Sequence, residues 1–207
     1  MIHDFTILQC NPKTTQARAT RFRTENVEVE TPAFMPVGTQ ASVKNQKYQD
    51  LYRDGARLGL ANTYHLSLRP GFEAMLRLGG LRKLTRFPGA FLTDSGGFQI
   101  FSLQSDRTID DTGARFKSYV DEREVFWSPE IAIQMQLALG SDIMMVLDQC
   151  VSSKSTSQEF ETAHHRTLQW AKRSFEARKK LWDSKTFSSK ETPALFAIVQ
   201  GGLDLER

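Results

Sequence analysis

Five times along the chain a short apolar run ends in a polar or glycine-rich cluster, and this recurrence constrains the fold more than any other feature. Residues 32–37 lead into Gly38-Thr39-Gln40, and residues 57–61 into Asn62-Thr63-Tyr64-His65. Residues 90–92 lead into Thr93-Asp94-Ser95-Gly96-Gly97, residues 143–147 into Asp148-Gln149-Cys150, and residues 195–199 into Gln200-Gly201-Gly202. Continuous apolar runs of this length are what parallel strands buried on both faces require. Helical signals lie between them. Ser128-Pro129-Glu130 predicts a helix start, with Ser as the cap, Pro at the first position and an acid at the positive end of the dipole. That helix is expected to run to Leu139 and stop at Gly140. Thr156 with Glu159 predicts a capping box for a second helix. Along it Phe160, His164, Leu168, Ala171, Phe175 and Trp182 follow roughly helical spacing as the apolar face. Arg166, Lys172, Arg173, Lys179 and Lys180 read as a solvated face, and residues 183–192 as a polar loop.

Alternating strands and helices predict an α/β fold with a parallel sheet. Polar clusters at the carboxyl ends of strands are where such folds place their sites. Five units suit an open doubly wound sheet, or most of an eight-unit barrel of about 250 residues; periodicity leaves both open. Ahead of the main fold, residues 18–23 and the alternating residues 27–30 flank Thr24-Glu25-Asn26, which predicts a β-hairpin.

Composition closes off several classes. The chain has 207 residues, 40% hydrophobic and 25% charged, enough apolar material for one domain with a real core. The run at residues 143–147 is far too short to span a membrane. The opening Met1-Ile2-His3-Asp4 lacks a basic region followed by an apolar stretch, so no secretory signal is expected. A net charge of +3 is compatible with a nucleic-acid partner without arguing for one. Cys10 and Cys150 lie far apart, without CxxC or zinc-ligand spacing, as expected of a cytoplasmic chain with reduced thiols. A single disulfide stays open on counting alone.

Asp94 is the sharpest candidate for chemistry. A carboxylate at a strand end, followed at once by Ser95-Gly96-Gly97-Phe98-Gln99, can act as a general acid or base beside a backbone that a ligand approaches closely. The same residues also make good turn chemistry. Asp148 ends the most apolar run, where a carboxylate is solvated at the mouth of the fold, paired with a ligand, or an N-cap for the next segment of chain. Gln200, next to Gly201, offers an amide donor and acceptor. Asp and Gln together are the groups that read the polar edge of a flat heterocycle. Asn62, Thr63, Tyr64 and His65 gather at another strand end, where His65 reads as packed rather than catalytic. His164 and His165 sit on the long helix and read the same way. Arg69-Pro70-Gly71 and the basic residues between 77 and 86 add charge that a phosphate backbone could use.

Six segments in register resemble the tRNA-guanine transglycosylase (queuine tRNA-ribosyltransferase) family. They are residues 31–40, residues 61–66, Leu68-Arg69-Pro70-Gly71, Thr93-Asp94-Ser95-Gly96-Gly97-Phe98-Gln99, Leu139-Gly140-Ser141-Asp142-Ile143 and Val199-Gln200-Gly201-Gly202. The resemblance implies a (β/α)8 TIM barrel, present here as about five βα units. Residues 1–207 then form a single truncated domain, with a hairpin region at 5–31 and barrel at 32–207. It also implies exchange of the guanine at the tRNA wobble position for a 7-deazaguanine, preQ1 or queuine. In the family a carboxylate attacks the ribose to form a covalent tRNA–enzyme intermediate, the double-displacement logic of retaining glycosidases. Asp94 matches the general acid/base. Ser95, Gly96, Gly97 and Phe98 match the loop around the base, with Phe98 stacking on the heterocycle. Asp148 matches the acceptor for the ring N–H and exocyclic amine, and Gln200, beside Gly201, matches the amide on the base carbonyl.

The family's nucleophile and its Cys/Cys/Cys/His zinc site are expected beyond residue 207, so the chain itself carries no cofactor ligands and zinc belongs to the complete member. Gln149 stands where the family commonly has Glu, and Ala41 and Asn45 where small residues or Gly are common. The expected partners are tRNA and a guanine or 7-deazaguanine base, with a homodimer or a complementing carboxyl-terminal chain, and no membrane. Two readings compete: an incomplete transglycosylase, or a non-catalytic tRNA-binding subunit or inactive fragment. Retention of Asp94, Asp148 and Gln200 favours the first.

Overall fold

The computed structural model describes residues 2–11, 13, 15–103, 106–184, 187, 192–200 and 202. The chain opens with three antiparallel strands, β1 (His3–Cys10), β2 (Arg18–Arg23) and β3 (Glu28–Thr31). The expected hairpin is β2–β3, closed by Thr24 N–H donating to Val27 O at 2.9 Å. Thr20, Phe22 and Val29 turn inward, while Arg21 points out and pairs with Glu30 at 2.5 Å and Glu28 at 3.2 Å. β1 is an additional strand that extends the hairpin to a meander. It is exposed almost throughout, so it carries no inward-facing pattern that a sequence could announce.

From there the chain alternates between strands and helices. It runs through β4 (Val37–Gly38), α1 (Tyr48–Arg53), β5 (Leu58–Ala61), α2 (Thr63–Leu68), α3 (Phe72–Leu78), α4 (Gly80–Thr85), β6 (Ala90–Thr93) and α5 (Gly97–Leu103). There follow β7 (Arg107–Asp110), β8 (Gly113–Lys117), β9 (Glu124–Trp127), α6 (Pro129–Leu139), β10 (Ile143–Met145), α7 (Ser157–Asp183) and β11 (Ala194–Phe196). The five predicted apolar runs supply the five strands of one parallel sheet, in the order β11-β10-β6-β5-β4. Each strand lies beside its predecessor, without the reversal of order that marks a doubly wound sheet. The first strand is shorter than expected. Pro32 and Pro36 have no N–H to give a ladder, and only Val37–Gly38 pair.

Packing distinguishes the two ends of this sheet. At the amino end, Phe22 and Val29 of the meander cluster with Leu58, Ala90 and Ile143, the first residues of β5, β6 and β10. Asp142, just before β10, has a side chain only 4% exposed. It accepts from Arg82 Nη2 at 3.0 Å, Asn26 Nδ2 at 2.8 Å and Phe91 N–H at 2.8 Å. It thus ties the meander, α4 and β6 together.

Both predicted helix starts are present. Ser128 accepts from Ile131 N–H ahead of α6, which ends at Gly140 with φ +69°. Thr156 and Glu159 form the capping box of α7. The buried stripe of α7 differs from the expected one. It is Ala163, Thr167, Trp170, Ser174 and Ala177, whereas Leu168 and Phe175 are exposed. Apart from Trp170, these side chains are small or polar and carry too little hydrophobicity to mark the face. The basic residues also divide. Lys172, Lys179 and Lys180 are exposed, as expected. Arg166 and Arg173 instead grip the turn between β7 and β8, donating to Asp111 Oδ1 at 2.9 Å and Asp111 O at 2.6 Å. The antiparallel sheet β7–β8–β9 is absent from the sequence reading. Much of the predicted 183–192 loop lies outside the described residues. No helix among the described residues is long and apolar enough to cross a membrane. Both cysteines are free thiols.

Candidate active site at the carboxyl ends of the strands

Four neighbouring strands each deliver a polar side chain just past their carboxyl ends: Asn62 after β5, Asp94 after β6, Asp148 after β10 and Gln200 after β11. The ends of β5 and β6 are joined directly. Asp94 N–H donates to Ala61 O at 3.3 Å, and Thr63 Oγ1 donates to Asp94 O at 2.6 Å. The Asp94 carboxylate accepts from Thr63 N–H at 2.8 Å and from Asn62 Nδ2 at 2.5 Å. Burial pushes its pKa up to about 6, and the nearby Asp148 charge adds to the rise; the hydrogen bonds from Thr63, Asn62 and Gly96 oppose it. Near neutral pH a carboxyl of this kind exchanges protons readily in both directions.

Asp148 is buried and accepts from three side chains. Gln200 Nε2 donates to its Oδ2 at 2.6 Å, Cys150 Sγ to the same oxygen at 3.4 Å, and Ser95 Oγ to Oδ1 at 3.4 Å. Burial, reinforced by the Asp148 charge, pushes the Cys150 thiol up to about 12, so it stays a neutral donor. The loop after Asp94 is fixed from behind, where Trp127 Nε1 donates to Ser95 O at 3.0 Å. Gly96 has φ +84°, and a Cβ on Gly97 would stand 2.6 Å from both the backbone O and Oδ1 of Asp148. Two loops from different strands therefore close on each other only because residue 97 has no side chain.

Of the residues singled out in sequence, Asp94, Ser95, Gly96, Gly97, Asp148 and Gln200 come together in this cluster. Phe98 stands 59% exposed on α5, with its ring 6.3 Å from that of Phe101. Gly201 lies outside the described residues. His65 is turned to Tyr119 Oη at 2.7 Å, and burial lowers its pKa; His164 Nδ1 lies 3.3 Å from the Gln200 backbone oxygen. Gln149, in place of an acid, accepts from Arg166 Nη1 at 2.6 Å. Sequence reasoning gives Asn62, Thr63, Trp127 and Cys150 no defined roles. Asn62 and Thr63 are legible as a polar strand end. Their bonds to Asp94 follow from parallel pairing that sets Ala61 opposite Thr93.

Among the described residues, no group of three or more His, Cys, Asp or Glu could hold a metal ion. A cavity of about 400 Å³ adjoins the cluster, lined in part by Phe101, Arg107, Gln149 and Cys150. A larger one, about 1020 Å³, runs along the β4 edge past Phe34, Val37 and Arg57 and includes none of the candidate site residues.

The family model described as queuine tRNA-ribosyltransferase matches residues 11–207. The chain is 47% identical over 188 residues to the queuine tRNA-ribosyltransferase of Fusobacterium nucleatum, which covers 91% of this chain and 48% of that protein. It is 45% identical over 194 residues to the protein of that name in Gloeobacter violaceus, covering 93% of this chain and 49% of the relative. For the Desulforamulus reducens protein of that name the identity is 43% over 191 residues, covering 92% and 49%. The chain thus spans about half the length of the curated relatives it matches.

Proposed function

The chain belongs to the queuine tRNA-ribosyltransferase family, and from that premise we propose that it carries the base pocket of an enzyme that exchanges guanine in tRNA for a 7-deazaguanine. The observation that carries this reading is the convergence of Asp94, Asp148 and Gln200 from three neighbouring strand ends, with Gln200 bonded to Asp148. In this reading Asp94 gives its proton to the departing guanine and takes one from the incoming base. Its raised pKa suits both steps. Asp148 accepts from the ring N–H and exocyclic amine of the base. Gln200 turns its amide N–H from Asp148 to the base carbonyl. The exposed Phe98 ring stacks on the heterocycle once the target nucleotide has left its stack. Ser95, Gly96 and Gly97 form the backbone wall.

The sequential strand order supports the finer fold reading, five units of a (β/α)8 barrel with the site at its carboxyl-terminal face. The attacking carboxylate and the zinc ligands come from a complementing carboxyl-terminal segment or chain, and the working compartment is the cytoplasm. The decisive experiment is calorimetry of free guanine binding. Asp148→Ala is expected to weaken it by ~1.5–3 kcal/mol, the scale of hydrogen bonds to a charged group. Unchanged affinity removes Asp148 from the pocket.

A further inference from the structure

We propose that Asn62 is a positioning residue for Asp94: its amide, locked by the cap of α2, presents only N–H to the carboxylate and so favours its ionised form and fixes which face is left to take a proton. The reason lies in what the other end of the amide does. Asn62 Oδ1 accepts from His65 N–H at 3.1 Å, closing the first turn of α2. The amide cannot flip without losing that bond, so Nδ2 is the atom that must face Asp94, at 2.5 Å from Oδ2. On the other oxygen, Thr63 N–H donates at 2.8 Å.

These partners share one property. The amide N–H groups of Asn62, Thr63 and Gly96 are donors with no free lone pair to offer in return. A hydrogen on the side of Oδ2 that faces Asn62 would meet another hydrogen. A proton taken from a base nitrogen therefore sits on a carboxyl lone pair turned away from Asn62, and returns from there when the base leaves. No bond changes except N–H to O–H and back. The charged and titratable groups around Asp94 do not supply this control. Asp148, from the neighbouring strand, opposes ionisation. His65, along α2, is turned to Tyr119, and Cys150 faces Asp148. The proposal rests on Asp94 being the acid/base of the exchange reaction, but its test does not need base exchange.

The test is a carboxyl-carbon NMR titration of Asp94 in the full chain. Asn62→Ser keeps a hydroxyl oxygen to cap α2 and removes the group that reaches Asp94. The Asp94 midpoint is expected to rise by about one to two pH units, the equivalent of one charge-assisted hydrogen bond. The melting temperature should stay close to that of the unaltered protein, because the cap survives. An unchanged midpoint in a folded Asn62→Ser protein overturns the proposal and leaves Asn62 as a cap only. If that variant does not fold, Asn62→Asp retains the cap acceptor and sets an acid against an acid. The two carboxyls are then expected to titrate as a coupled pair, one far above the ordinary range; two independent, ordinary titrations overturn the proposal. Normal base exchange by Asp94→Asn would remove the acid/base reading of Asp94, while the titration would still decide the part played by Asn62.

Discussion

Asp142 and Asp94 stand at opposite ends of adjacent strands, both at a sheet end and both raised in pKa by burial, yet their surroundings differ in kind. Asp142 meets a cation, Arg82, together with two neutral donors reaching from the meander and β6, and the nearby Glu25 charge only partly offsets that match. Asp94 meets neutral donors and, across the cluster, a second acid. A buried carboxylate with its charge matched holds parts of a chain together. One with its charge unmatched is held near its titration point, where it can move protons. The amino end of the sheet thus pairs its buried acid with a cation, whereas the carboxyl end leaves its buried acid without one.

The strongest test of this contrast is Asp94→Asn in a protein extended to the length of its relatives. Incorporation of labelled guanine into tRNA is expected to fall by at least about 100-fold, the lower end of what a general acid/base contributes. Near-normal incorporation would erase the distinction between the two ends. Next in size is Asp142→Ala, expected to destabilise the fold by about 3 kcal/mol in urea denaturation, because Arg82 loses its carboxylate and Asn26 its acceptor. A change below about 1 kcal/mol would mean the meander is not anchored there.

A third, smaller effect concerns pH. Asp94 holds its proton more tightly folded than unfolded, so the folded state binds the extra proton between the ordinary carboxylate range and about pH 6. Its contribution to stability is therefore largest below that window and is lost as pH rises through it. Relative to Asp94→Asn, the unaltered protein should lose about 2 kcal/mol between pH 4 and pH 6, read from urea midpoints. A flat difference would show that Asp94 titrates normally. The smallest effect is at Ala41, which follows the carboxyl end of β4 with φ +58°, a conformation that disfavours a Cβ. Ala41→Gly is expected to stabilise the chain by up to about 1 kcal/mol; a loss of stability would show that the methyl group packs usefully there.

Legibility in the sequence tracks burial. Residues 58–61, 90–93 and 143–145 are apolar almost without interruption because the sheet is covered on both faces, and they are readable as parallel strands. The caps of α6 and α7 are readable because each is a local rule satisfied within four residues. β1, exposed along its length, and β7, whose burial is only partial, offer no comparable signal. The buried face of α7 misleads because Ala163, Ser174 and Ala177 are small, while Leu168 and Phe175 imitate a core stripe from the solvent side. Asp94, Asp148 and Gln200 are legible as polar residues ending apolar runs. The direction in which Asn62 points is not, because it depends on a bond to His65 that exists only once α2 has formed.

The sheet's order has a further meaning for how the pocket comes into being. Within this sheet the strands follow in chain order from β4 through to β11, with β7, β8 and β9 inserted between β6 and β10. A ribosome delivering such a chain releases each strand of this sheet after the one it must lie against, so each can dock as it emerges. Asn62 emerges first, then Asp94, then Asp148, with Gln200 last. The hydrogen bond from Gln200 to Asp148 is therefore the final stitch of vectorial assembly across these strands, and its formation on a nascent chain would report that these four groups have come together.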